Sequence, residues 1–274
     1  YVSLSALTGR ILAQDVCAQF DAPRFDNSAM DGYAVCGLQQ QNWLLTDSIA
    51  AGDATHGLQL QTGQAMRILT GAAIPAGTEA VIAQEDVNVL DGLLVCDRPL
   101  KSGQHIRRLA EEYAAGEVLL PAQMRLNAAA VGVIASQGLQ HVACFRRIRI
   151  TVLSSGNELQ VPGCELKENQ IYDSNRAMLL AALSDACFEV SDGGLLADDL
   201  PSSTDSLQAA ARHNDVVLVS GGASVGDKDH TKEALAALGE IQHWKLAIKP
   251  GKPFGWGKIG DTQVFLLPGN PVAS

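Results

Sequence analysis

Five residues, Val216-Val217-Leu218-Val219-Ser220, run straight into Gly221-Gly222-Ala223-Ser224-Val225-Gly226, and a helical pattern follows from about Lys228 to Leu238. No other stretch limits the choice of fold as much. A run that is apolar on both faces reads as a strand covered on both sides, which is the condition of a parallel sheet. A strand feeding a glycine-rich loop and then a helix is part of a βαβ unit, and its loop falls at the carboxyl end of the strand. Glycines there let backbone amides approach a ligand, and the helix start adds partial positive charge, so the arrangement suits an anion. Ser224 adds a hydroxyl, and Asp227 and Asp229 add carboxylates where a divalent cation can neutralise a phosphate. The same residues also suit a plain strand-to-helix turn with a capping aspartate. The stretch alone leaves both readings open.

From Arg147 onward the chain repeats this alternation. Residues 148–153 read as a strand that enters Ser154-Ser155-Gly156-Asn157-Glu158-Leu159. Asn175 is placed to cap a helix through Met178, Leu179, Leu180 and Leu183. Residues 188–191 suit a strand, 203–212 a helix, and further strands are expected near 244–248 and 264–267. Strands alternating with helices predict a mostly parallel sheet wound on both faces, a three-layer α/β domain over residues 147–274. Four loops follow strands: residues 155–158, 220–229, 249–253 and 268–271. They are expected to converge on one crevice at the carboxyl ends of the strands. Lys249 and Lys252, held between prolines and a glycine, suit an oxyanion.

The first half reads differently. Ser3 is placed to cap a short helix through Leu4, Leu7 and Ile11. The stretch Phe20 to Val35 interleaves aromatics, Met30 and the acids Asp21, Asp26 and Asp31 with turn formers, and Asp31-Gly32 is a turn signal that also suits an ordinary hairpin. Residues 36–111 carry short alternating runs divided by Gly, Asp and Pro, with almost no helical period, so residues 21–112 are expected to form a small β-domain. Within it Thr70-Gly71 offers a hydroxyl on a glycine turn, and Arg107, Arg108, Glu111 and Glu112 form a charged cluster that also suits a solvated face. Residues 121–138 read as a helix with Asn127 as cap and Gly138 as stop. Together with the first helix they predict a discontinuous helical linker domain, 1–20 and 113–146.

Composition narrows the partners. A chain of 274 residues with 47% hydrophobic and 18% charged residues suits two or three folded domains. A net charge of −10 and a pI near 5.0 argue against a nucleic-acid partner. The six cysteines are scattered without a CxxC pair, so reduced thiols in a cytoplasmic protein are expected rather than a zinc knuckle or a disulfide framework. No apolar run approaches the roughly 20 residues needed to span a bilayer, and no signal peptide is visible. Both ends read as truncated.

Taken together, the loops resemble the molybdopterin molybdenumtransferase family, which includes the gephyrin E domain. The resemblance rests on Asp26-Asn27-Ser28-Ala29-Met30-Asp31-Gly32-Tyr33-Ala34, Thr70-Gly71 with Ile74-Pro75, Ser155-Gly156-Asn157-Glu158-Leu159, Asp173-Ser174-Asn175, the stretch from Ser220 to Asp229, Lys249-Pro250-Gly251-Lys252-Pro253 and Leu267-Pro268-Gly269-Asn270-Pro271. These stand in the family's order and cover nearly the whole chain. The resemblance implies an enzyme of molybdenum cofactor biosynthesis that takes adenylyl-molybdopterin and molybdate, releases AMP and uses a divalent cation, usually magnesium. It also implies a homodimer with the active site between subunits, and handover of substrate from an adenylyltransferase. Asp198 and Asp229 would serve hydrolysis and metal binding, while Glu158 and Asp31 would shape the catalytic cleft. Ser224, Lys249, Lys252 and Ser274 would contact molybdate or phosphate. Thr70, Glu112, Ser155, Gly156, Asp173, Asn175, Gly221, Gly222, Gly226, Pro268, Gly269 and Pro271 would complete the binding site.

Two departures stand out. The family commonly has Thr-Gly-Asp-Glu-Leu where this chain has Ser155-Gly156-Asn157-Glu158-Leu159, and Gly-Glu-Asp where Ala110-Glu111-Glu112 stands. The family's C-terminal β-domain is absent from the sequence. Two other functions fit parts of the pattern. A molybdopterin adenylyltransferase shares the glycine loop but lacks the Asp31-type β-domain, and a non-catalytic gephyrin-like scaffold has no need of the carboxylates and lysines.

Overall fold

The computed structural model describes residues 1–54, 57–197, 199–221, 230–244 and 254–271, the side chains of His243 and Trp244 excepted. The chain folds as two compact units, one of Gln14–Met124 and Ala129–Val142, the other of Tyr1–Ala13, Arg125–Ala128 and Ala143–Ser274. Residues 21–112 fall wholly in the first and 147–274 in the second, while 1–20 and 113–146 are divided between them.

The first unit is built on a six-stranded sheet of β1 (Gly32–Val35), β2 (Asn42–Ile49), β3 (Gln64–Ile68), β4 (Ala80–Ala83), β5 (Asn88–Leu90) and β6 (Leu93–Val95). The strand order is β4-β1-β3-β2-β6-β5, antiparallel throughout except for the parallel β2–β3 pair. Strand alternation splits the apolar residues between two cores. Tyr33, Val35, Ala80 and Ile82 join Trp43 and Leu94 in one, and Ala34, Val81, Met66 and Ile68 join Ile49 in the other. Every residue of β1 and β4 is therefore buried, which explains why Ala80–Ala83 is a continuous apolar run. Gly32 is not the turn residue that Asp31-Gly32 suggested. It is the first residue of β1, paired with Ile68 and Ala83, and a Cβ there would lie 1.9 Å from the Ile82 carbonyl oxygen. Close approach of β4, rather than a turn, demands the glycine.

Helix is scarcer than expected. The predicted helix over 3–11 is a single 3-10 turn, Leu4–Ala6, and Ser3 makes no side-chain cap bond. The helix expected over 121–138 is the shorter α1 (Ala128–Ser136). Leu126 explains the late start: its N–H donates to the Arg10 carbonyl at 2.8 Å and its carbonyl accepts from Gly9 N at 2.7 Å. Backbone groups already paired across chain cannot join a helix. Gly138 adopts a positive φ of 71° just past the helix, as its reading as a stop required.

The second unit carries β7 (Ile148–Ser155), α2 (Ser174–Ala182), β8 (Phe188–Leu196), α3 (Leu200–His213), β9 (Val216–Ser220), α4 (His230–Leu238), β10 (Glu240–Trp244), β11 (Gly255–Ile259) and β12 (Thr262–Leu267). The sheet order is β8-β7-β9-β12-β11-β10. The pairs β8–β7, β7–β9 and β9–β12 are parallel, whereas β12–β11 and β11–β10 are antiparallel, so the sheet is mixed. The antiparallel edge was not legible because Gly255 and Gly257 make β11 read as loop. Gly257 is glycine for a packing reason, since a Cβ would sit 2.3 Å from the Glu240 carbonyl oxygen. On one face of the sheet Leu153, Val217, Val219, Val264 and Leu266 close over Leu207 of α3 and Ala234 and Leu235 of α4. Each valine and leucine among these, fully buried, contributes roughly 1.5–3 kcal/mol. Among the described residues no helix is long and apolar enough to cross a membrane.

The order also fixes where a ligand belongs. From β7 the chain crosses through α2 to β8 on one side, then returns through α3 to β9 on the other. The winding direction reverses between β7 and β9, and the crevice outside the carboxyl ends of such a strand pair is where open α/β sheets bind ligands.

Candidate active site

The carboxyl ends of β7 and β9 open into a cleft lined by Ser155, Glu158, Leu159, Ile171, Tyr172, Asp173, Ser174, Asn175, Ser220, Gly221, Gly269 and Pro271. Strand ends meet closely here. Gly221 has a φ of +84°, and a Cβ at that position would lie 2.3 Å from the Ser155 carbonyl oxygen, so only glycine permits the approach. Its N–H donates to the Leu267 carbonyl at 3.1 Å, which ties the start of the glycine loop to the end of β12. Glu158 lies exposed over Gly156, where a Cβ would come within 2.7 Å of its carboxylate. Thr231 Oγ1 of α4 lies 3.3 Å from Ser155 Oγ, a hydroxyl pair that positions Ser155 at the floor of the cleft.

The first turn of α2 organises one wall. Asp173, not Asn175, is the N-cap: its carboxylate accepts from Arg176 N at 3.2 Å and from Arg176 Nε at 2.9 Å. Arg176 also donates from Nη1 to Asp192 at 2.7 Å, next to a bulge in β8. The Asp173 and Arg176 side chains are 1% and 8% exposed, so this carboxylate is committed to the helix start. Asn175 lies one step inside the helix, and its Nδ2 donates to Ser220 Oγ at 2.8 Å and to the Gly269 carbonyl at 2.9 Å. Sequence reasoning missed Arg176 and the hydroxyl of Ser220. The i, i+3 spacing of Asp173 and Arg176 on a helix was the available signal.

Asp31, Thr70 and Glu112 belong to the β-rich unit. Asp31 Oδ1 accepts from Thr70 Oγ1 at 2.6 Å and from Thr70 N at 2.7 Å. These two donors, the hydroxyl foremost and with the charge of Arg67 adding to them, hold the Asp31 carboxyl below the usual carboxylate range. Arg67 stacks 5.0 Å over the Tyr33 ring and donates to Gln84 Oε1 at 2.6 Å. Glu112 is exposed, with its N–H on the Ala22 carbonyl at 2.8 Å. The neighbouring charged cluster is partly structural: Arg108 pairs with Asp26 at 2.7 Å, and Glu111 accepts from Arg108 N at 2.7 Å. Asp198, Gly222, Ser224, Gly226, Asp229, Lys249, Lys252 and Ser274 lie outside the described residues. Among the described residues no cluster of three or more His, Cys, Asp or Glu could hold a metal.

Comparison with known proteins adds the decisive observation. Residues 1–138 match the MoeA N-terminal region (domain I and II), and residues 151–274 match a probable molybdopterin binding domain. A molybdopterin molybdenumtransferase of Haemophilus influenzae is 42% identical over an alignment covering all of this chain and 69% of the relative. The chain belongs to the molybdopterin molybdenumtransferase family. The molybdopterin molybdenumtransferase 2 of Mycobacterium tuberculosis is 36% identical, with all of this chain and 71% of that protein covered. A solved molybdopterin biosynthesis moeA protein from Pyrococcus horikoshii superposes with a TM-score of 0.84 at 33% identity, covering 99% of this chain and 70% of that one. The mixed sheets and few helices described above are thus those of the molybdopterin molybdenumtransferase fold. Its family members carry the name of an enzyme, which sets the question of how these residues act.

Proposed function

We propose that this chain inserts molybdenum from molybdate into molybdopterin, with adenylyl-molybdopterin as the second substrate and AMP released. What supports this reading most is the meeting of the β7, β9 and β12 ends with the first turn of α2 in one cleft, at the reversal point of the sheet. The unit of 143–274 acts in this reading as a three-layer α/β domain that seats the nucleotide. Ser155 and Ser224 would offer hydroxyls, and Gly156, Gly222, Gly226 and Gly269 backbone amides, to phosphate and molybdate oxygens, while Gly221 permits the close approach of the strand ends and Pro268 and Pro271, which lack an N–H, would shape the loop around Gly269. Lys249 and Lys252 would offset the substrates' negative charge, and Ser274 would add a hydroxyl contact. Asp198 and Asp229 carry oxygen donors of the kind that a hard cation such as magnesium takes, and they would hold it beside the phosphates. That cation, when bound, supplies charge neutralisation at the bond to AMP.

Glu158 borders the cleft, and Asp31, ionised and oriented by Thr70, is contributed with Glu112 by the β-rich unit of a second copy in a homodimer. Asn157 and Glu112 replace the family's usual aspartates. Asn157 keeps an oxygen at its position without the charge, and Glu112 keeps the charge on a longer stem. The substrate comes from an adenylyltransferase reaction, by handover or by diffusion.

The test is AMP release from adenylyl-molybdopterin with and without molybdate and magnesium. Release that depends on both is expected. Tight nucleotide binding without any release would replace the reading with a non-catalytic scaffold.

A further inference from the structure

We propose that Asn175 is a positioning residue for this reaction, holding the chain ends after β9 and β12 at the spacing that the cleft requires. The inference rests on the functional reading above and goes beyond it, because the residue acts through two loops and not by touching substrate with its amide nitrogen. Asn175 is 7% exposed, and one nitrogen serves two loops: Ser220 Oγ at 2.8 Å and the Gly269 carbonyl at 2.9 Å. An amide NH2 has two hydrogens, so both are committed to these acceptors. Ser220 is the last residue of β9 and pairs with Leu267, the last residue of β12. Asn175 therefore ties the last ladder residue of β9 to Gly269, two residues beyond the end of β12, where the ladder no longer fixes the chain.

The bridge is useful only if its own base is anchored, and ion pairs of the buried Arg176 anchor it. The Asp173–Arg176–Asp192 cluster anchors the first turn of α2 to β8, at 2.9 and 2.7 Å. On the far side Gly221, confined by the Ser155 carbonyl and bonded to Leu267, couples the position of Ser220 to the ends of β7 and β12. One helical turn thus links the middle of β8, through Asp192, with the last residue of β9 and the loop after β12. A displacement of about 1 Å in such a frame can cost about a hundredfold in rate.

Two substitutions test this. Asn175→Asp keeps the shape and removes both donors, and Asn175→Ala removes the side chain. In each, hydrogen–deuterium exchange without substrate is expected to rise at Gly221 and at the 268–271 loop. The turnover number for AMP release should fall about tenfold or more, with KM for molybdate changed less than about threefold, because alignment and not affinity is lost. Combining Asn175→Ala with Ser220→Ala should cost little more than the worse single change, since both break one link. Should Asn175→Ala fail to fold, Ser220→Ala alone carries the same readouts. Wild-type turnover in Asn175→Asp overturns the proposal, as does a raised KM with unchanged turnover number and loop exchange, which would mark direct substrate contact. A wild-type protein that releases no AMP overturns the functional reading alone, because the exchange measurement still reports the bridge.

Discussion

At the scale of single residues, Asp31 separates charge from shape. Both Thr70 donors point at the same carboxylate oxygen, at 2.6 and 2.7 Å. An asparagine amide oxygen can accept the same two bonds without their charge-assisted part, so Asp31→Asn should keep the fold and lose no more than a few degrees of melting temperature. Its AMP release should nevertheless fall, because only the charge is lost. Equal activity in Asp31→Asn would remove the carboxylate from the site. The lowered pKa also has a sign. A group whose folded pKa lies below its unfolded value of about 3.9 stabilises the protein above that pH and loses the contribution as pH falls through the folded value. Carboxyl NMR should therefore show Asp31 titrating below about 3.9, and the acid limb of a neutral-range activity profile should belong to another group. The sequence read Asp31-Gly32 as a turn, and that reading fails at Gly32. The glycine marks a backbone crossing in the sheet, which a dipeptide signal cannot distinguish from a turn.

At the scale of elements, α2 shows what a pattern can and cannot reveal. Its leucines placed the helix, and its cap was misassigned because Asp173, Ser174 and Asn175 are all good capping types. Only the fold decides which side chain turns back on the helix and which reaches across to other strands. The same limit hid β11, whose glycines exist for a neighbouring strand, and shortened α1, whose first turn is pre-empted by Leu126 pairing with the chain at Gly9 and Arg10. By contrast β7, β9 and α3 were legible because their apolar periodicity is local. The buried Asp173–Arg176 pair gives a measurable consequence. Arg176→Ala leaves the Asp173 carboxylate buried without its guanidinium and is expected to cost about 3 kcal/mol or more. Asp192→Asn should cost far less, since Asp192 is 53% exposed. Denaturant unfolding of the α/β unit measures both, and equal losses would show that the cluster does not anchor α2.

At the scale of the molecule, the parallel strands are fastened at the end opposite the cleft by charge. Asp215, just before β9, accepts from Arg146 Nη1 at 2.5 Å, Arg149 N at 2.9 Å and Arg149 Nη2 at 3.0 Å. Arg149 belongs to β7, so one carboxylate registers the two central strands at their amino ends. The Arg146 and Arg149 guanidinium bonds, with the Arg149 amide behind them, hold the Asp215 carboxyl far below the ordinary carboxylate range. The sign is that of a depressed acid: the stabilisation is complete above the unfolded pKa of about 3.9 and disappears as pH falls through the lower folded value. Asp215→Asn should therefore be less stable than the wild type at neutral pH, and the gap should close in acid well below about pH 3.9. A gap that persists unchanged at low pH would show that Asp215 acts through shape and not charge. The same variant separates the two ends of the sheet. Ser155, Ser220 and Gly269 are held by the α2 bridge and the glycine approach, neither of which uses Asp215. AMP release at neutral pH and moderate temperature should consequently survive Asp215→Asn, while the same rate measured across a thermal ramp should fail earlier than in the wild type. Early loss of turnover below the melting transition would mean that the amino ends set the geometry of the cleft, and the assignment of that task to α2 would then be wrong.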